Sequence, residues 1–135
     1  MDESKNEKMT SLAGASSEEI ARAIADVLDS MKARDIKLLR VSDKTVMTDY
    51  FVICSGTSNT QIKALSGEVE YKLGERGVSP LHIEGYKTGT WIAMDYAHVM
   101  VHIFNREQRD FYKLEKLWGD ACEVPLNTEN SEQED

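Results

Sequence analysis

The chain has 135 residues, 41% of them hydrophobic and 30% charged, with a formal net charge of -8. That is enough for one domain with its own core and too little for two. No apolar run approaches the roughly 18 residues of a membrane-spanning helix, and the polar start Met1-Asp2-Glu3-Ser4-Lys5 matches neither a secretory signal nor a transit peptide, so a cytoplasmic protein is expected.

The charge sits mostly at the ends. Residues 123–135 carry Glu123, Glu129, Glu132, Glu134 and Asp135 with no base, whereas residues 18–122 hold 16 acids against 14 bases. A nearly balanced body offers no clustered basic face for bare nucleic acid, so any nucleoprotein partner is expected to be met through a basic protein component. The expected layout is a flexible polar tail over 1–15, a domain over 16–122 and an acidic flexible tail over 123–135.

Ser16 and Glu19 have the spacing of a capping box, and Ile20, Ile24, Val27, Leu28 and Met31 then recur at helical spacing, predicting a helix to about Ala33. Ile36–Val41 and Tyr50–Ser55 read as strands, the second apolar almost throughout, as in an interior strand covered on both faces. After Gly56-Thr57-Ser58-Asn59 a second helix carries Ile62, Leu65, Val69 and Leu73 on one side, with Ser58 and Gln61 as a reciprocal cap. Gly77 and Pro80 stop it, and Leu81–Ile83 suits a short edge strand. Thr90–Tyr96 and His98–Phe104 pair as an antiparallel hairpin with Ala97 near the turn. A last helix is expected from Asn105 to Gly119, presenting Phe111, Leu114, Leu117 and Trp118. The fold class is therefore α/β: a single domain with a mixed sheet of about five strands flanked by helices.

Most local chemistry is weak. The strand, Gly-Thr-Ser-Asn, helix segment could seat an anion, but it lacks both Gly-Lys-Ser/Thr and G-x-G-x-x-G, and plain capping explains it better. Magnesium-assisted nucleotidyl transfer would need grouped carboxylates, yet Asp43, Asp49 and Asp95 lie on separate segments. His98 and His102 share a strand face roughly 13 Å apart, too far for one metal. Cys54 lies in an apolar run, and Ser55-Gly56 is not a nucleophile elbow. No enzyme activity, cofactor or metal is expected. Trp91, Asp95, Tyr96, His98 and His102 instead have the composition of an interface, although periodicity alone leaves core and interface roles for Trp91 equally open.

The ordered motifs Thr48-Asp49-Tyr50-Phe51-Val52-Ile53-Cys54-Ser55-Gly56-Thr57-Ser58, Glu84-Gly85, Trp91-Ile92-Ala93-Met94-Asp95-Tyr96, Val101-His102-Ile103-Phe104 and Tyr112-Lys113-Leu114-Glu115-Lys116-Leu117-Trp118 resemble the ribosomal silencing factor (Iojap-like) family from about residue 20 to 119. The resemblance implies a domain shaped like a nucleotidyltransferase without its catalytic carboxylates. It implies a non-enzymatic translation repressor that binds the large ribosomal subunit through ribosomal protein L-fourteen and blocks joining of the small subunit. Organellar relatives imply a role in large-subunit assembly, and homodimers are also implied. The residues expected to bind the partner are Glu84, Trp91, Met94, Asp95, Tyr96 and His102, with neither membrane nor sequence-specific nucleic acid involved. Strand alternation sends Trp91 and Asp95 one way and Met94 and Tyr96 the other, and the first pair is favoured. Two departures stand out: many members have Gly-Asp where this chain has Ala97-His98, and often a basic residue where it has Asn59-Thr60.

Overall fold

The computed structural model describes residues 11–119 and 121–126. Helix α1 (Ser17–Ser30) starts at the expected capping box: Glu19 N–H donates to Ser16 Oγ at 3.1 Å, and Ser16 N–H donates to Glu19 Oε1 at 2.9 Å. It stops before Ala33 because Lys32 takes a left-handed φ of 68°. The N–H groups of Lys32 and Ala33 then reach back to the carbonyls of Asp29 and Leu28, which closes a Schellman end.

Strand β1 (Arg34–Arg40) runs antiparallel to β2 (Tyr50–Gly56), with an irregular register between Arg34 and Lys37. Every residue of β2 is buried, as the continuous apolar run predicts. Helix α2 (Asn59–Glu75) follows, capped by Ser58. Next come β3 (His82–Glu84), β4 (Trp91–Asp95) and β5 (Val99–Asn105). The sheet order is β3-β4-β5-β2-β1-β6, with only β2 and β5 parallel.

Two expectations change here. The sheet has six strands: β6 (Cys122–Val124), across the expected boundary between domain and acidic tail, adds to the free edge of β1, since strand addition uses backbone groups and needs no apolar run. The last helix is two short pieces, α3 (Arg106–Tyr112) and α4 (Leu114–Leu117), separated by Lys113 at a left-handed φ of 49°. Contacts also reach outside 16–122, for Leu12 is buried with its N–H on the Arg76 carbonyl, and Val124 packs against the core. The remainder of both expected tails lies outside the described residues.

Alternation along the strands divides the core in two. Val52, Cys54, Val99, Val101 and Ile103 pack beneath α1 and α2, meeting Ile24, Leu28, Ile62, Leu65, Val69 and Leu73. On the other face Leu39, Val41, Phe51, Ile53 and Phe104 form a smaller cluster with Leu114 and Trp118 above it. Among the described residues only the short α3–α4 segment and the chain that follows it cover this second face, leaving its β3–β4 side open.

Candidate docking face

The open face is built from alternate residues of β4 and β5. Cross-strand register places Trp91 beside Phe104, Ala93 beside His102, and Asp95 beside Met100. Trp91 is half-buried and central. Its ring stacks on Phe104 at 4.8 Å between centroids and meets Tyr112 of α3 at 4.7 Å. Its indole Nε1–H donates to His102 Nδ1 at 3.1 Å. His102 stands edge-on to Phe51 at 5.5 Å, and burial pulls its pKa down to about 4. The ring is therefore neutral near pH 7, with the proton on Nε2 and Nδ1 free to accept. His102 orients Trp91 from below; it is not itself a surface residue.

Asp95 is partly exposed and its Oδ1 accepts from the Ala97 N–H at 2.8 Å, tying the carboxylate to the hairpin turn. Glu84 lies exposed on edge strand β3, 2.7 Å from His82 Nε2. The next residue, Gly85, has φ 85°, and a Cβ there would strike the Trp91 carbonyl, so the loop can close on β4 only with glycine.

Met94 and Tyr96 fall elsewhere, which corrects their assignment to a partner surface. Met94 is fully buried on the α2 side, where its sulfur accepts from Ser66 Oγ at 3.7 Å, and Tyr96 is buried in the same core. Alternation is obeyed, and α1 and α2 both pack on the face that these two residues occupy. His98 lies in the turn outside β5, 3.9 Å from Asp49, so the strand face it was expected to share with His102 does not include it.

Sequence patterning missed three contributors. Tyr112 and Phe111 flank the face from α3, with Phe111 76% exposed although its spacing suggested a packed position. Arg109 fixes α3. Its guanidinium, buried at 8% exposure, donates from Nε and Nη2 to Glu115 Oε2 at 3.1 and 2.9 Å, and from Nη1 to Ser55 Oγ at 2.8 Å. The residues of this clamp line a cleft of about 400 Å³ at the end of β2. No sequence signal marked it, because the burial of Arg109 and its contacts with Ser55 and Glu115 exist only in the folded chain.

At the start of α2 the chain supplies its own caps. Thr57 N–H and Oγ1–H both donate to Gln61 Oε1, at 2.6 and 2.9 Å, and Gln61 N–H donates to Ser58 Oγ at 3.0 Å. Gln61 thus bonds Thr57, where a reciprocal bond to Ser58 was expected. Burial pushes the Cys54 thiol up to about 12, which leaves it protonated and unreactive. Among the described residues no three His, Cys, Asp or Glu side chains gather into a metal-binding group.

These features define a single-domain α/β protein whose distinctive surface is an aromatic patch edged by carboxylates. Residues 14–135 match the profile of the family described as "Ribosomal silencing factor during starvation". The ribosomal silencing factor RsfS of Halalkalibacterium halodurans is 34% identical over 111 residues, spanning 82% of this chain and 95% of that protein. The murine protein named "Mitochondrial assembly of ribosomal large subunit protein 1" is 36% identical over 98 residues, 70% of this chain and 43% of that one. A crystal structure of a Chromobacterium violaceum protein superposes with a TM-score of 0.76 at 33% identity, covering 84% of this chain and 93% of the other. The chain belongs to the ribosomal silencing factor family.

Proposed function

We propose that this protein is a translation repressor that binds the large ribosomal subunit through ribosomal protein L-fourteen and blocks joining of the small subunit, with no catalytic step. The observation that carries the reading is the open sheet face: in a member of this family, Trp91 lies half-exposed on the face that also carries Asp95, four residues further along β4, and Glu84, its diagonal neighbour on β3, while the opposite face is closed by helices. Aromatic side chains dominate binding energy at interfaces, and the acids match a basic ribosomal protein. Occlusion then needs only bulk. A domain of about 100 residues is roughly 25–30 Å across, too large for the gap between joined subunits, and a contact of about 800 Å² per partner fits one sheet face. The site of action is the cytoplasm, and the reading includes a homodimer, which light scattering across protein concentration tests directly.

Sedimentation of purified subunits at fixed magnesium tests the main claim. Wild-type protein is expected to travel with large subunits and deplete joined ribosomes, while Trp91→Ala and Glu84→Lys do neither. Normal joining with the wild-type protein left at the top of the gradient would overturn it. The name of the murine relative favours a second reading, a large-subunit assembly factor. Depletion in cells separates the two: precursor particles support assembly, whereas normal particles with excess joined ribosomes support repression.

A further inference from the structure

Trp91 does not end the aromatic surface. Tyr112 meets it at 4.7 Å, and Phe111 meets Tyr112 edge-on at 5.0 Å, so three rings run from the sheet to the outer side of α3. We propose that the docking surface continues off the sheet onto α3, where Tyr112 and Phe111 form a shelf for an arginine-bearing segment of the partner protein. This inference rests on the docking role proposed for the sheet face.

Phe111 and Tyr112 lie outside both core clusters, exposed by 76% and 45%. Their apolar area is therefore left to water in the free protein and is available to a partner. The shelf is also rigid. Arg109, two positions before Phe111 and pointing inward, ties α3 to β2 through Ser55 and to α4 through Glu115. Rings held in place lose little freedom on binding, which favours affinity.

Charge selects the kind of partner. Glu107 precedes Phe111 by one helical turn on the same side of α3, is exposed, and pairs with no described residue. Glu84, opposite Ala93 on β3, is the diagonal cross-strand neighbour of Trp91. Carboxylates therefore stand on both sides of the ring series. A guanidinium can lie flat on an aromatic ring while its N–H groups pair with an adjacent carboxylate, a geometry that a lysine ammonium matches less well. A purely apolar segment would gain from the rings but leave the carboxylates without a counter-charge.

The test is equilibrium binding of the full-length protein to isolated large subunits. Phe111→Ala and Glu107→Lys are each expected to raise Kd about tenfold, the effect of losing one good interface contact, while leaving Tm unchanged because both side chains are exposed. The Glu107→Lys loss should also exceed that of Glu107→Gln. If both variants bind like the wild type while Trp91→Ala and Glu84→Lys lose binding, the shelf is overturned and the sheet-face reading stands. If all four bind like the wild type, that reading fails and the shelf falls with it. Loss in Phe111→Ala with no effect of Glu107→Lys overturns the arginine partner and leaves an apolar one.

Discussion

Ala97 adopts a backbone conformation that its own side chain opposes. Its φ is 75°, and the His98 N–H donates to the Tyr96 carbonyl across it at 2.9 Å, giving a tight turn of the strained kind. A Cβ in the left-handed region costs about 1–2 kcal/mol, which glycine avoids. Ala97→Gly should therefore raise Tm by about 3–5 °C in a chain of this size; an unchanged or lower Tm would show that the turn is unstrained. His102 makes a second prediction. Its folded pKa of about 4 lies below the 6.5 of an exposed histidine, so between those values the unfolded chain binds the extra proton. Stability from this group is complete above about pH 6.5 and declines as pH falls towards 4, by up to about 3 kcal/mol. Urea midpoints between pH 5 and 7, where few carboxylates titrate, should fall with acidity in the wild type and stay flatter in His102→Gln. Equal slopes would mean that the folded imidazole binds its proton as readily as the unfolded one, so that its burial against Trp91 carries no pH-dependent stability.

The α3–α4 segment shows how one polar clamp shapes an element. Lys113 breaks the helix at φ 49°, and the break lets Glu115 turn back to Arg109 while Leu114 and Trp118 settle on the sheet. Glu115→Ala leaves a buried guanidinium with Ser55 alone and should cost about 3 kcal/mol, whereas Arg109→Met removes the charge and should cost less. Denaturant unfolding of the two variants decides it, and equal costs would reject the clamp as a charge effect. This segment also marks where sequence patterning ran out. Phe111, Leu114, Leu117 and Trp118 fit one helical stripe, and nothing local announces the break, because it is stabilised by a contact between residues that only the fold brings together. By contrast, the Ser16–Glu19 cap, the interior strand at Tyr50 and the hairpin around Ala97 were legible, since each depends on neighbours within a few positions. The two faces of β4 were legible as alternation. Which of them the helices would cover was not, and that choice moved Met94 and Tyr96 into the core.

At the scale of the whole molecule, charge is distributed unevenly. Residues 127–135 hold four acids and no base, while the proposed docking face is edged by only a few carboxylates, Glu84 and Asp95 among them. An anionic segment near a ribosomal surface is repelled by RNA phosphates even where the proposed docking face would attract a basic protein. The two effects differ in range. Contacts beneath Trp91 are short-ranged and little screened, but tail repulsion acts across solvent and shrinks once the Debye length falls from about 8 Å at physiological salt to about 4 Å at 0.5 M. The cut must follow Leu126 in order to keep β6 and the bond from Arg22 to the Pro125 carbonyl, 3.3 Å long. Removal of residues 127–135 should then speed association with large subunits severalfold at low salt, leave the off-rate unchanged, and have no effect at 0.5 M salt. Stopped-flow association across a salt series reads all three. An on-rate that is the same with and without the tail at every salt concentration would reject repulsion and leave the segment with solubility as its only electrostatic role.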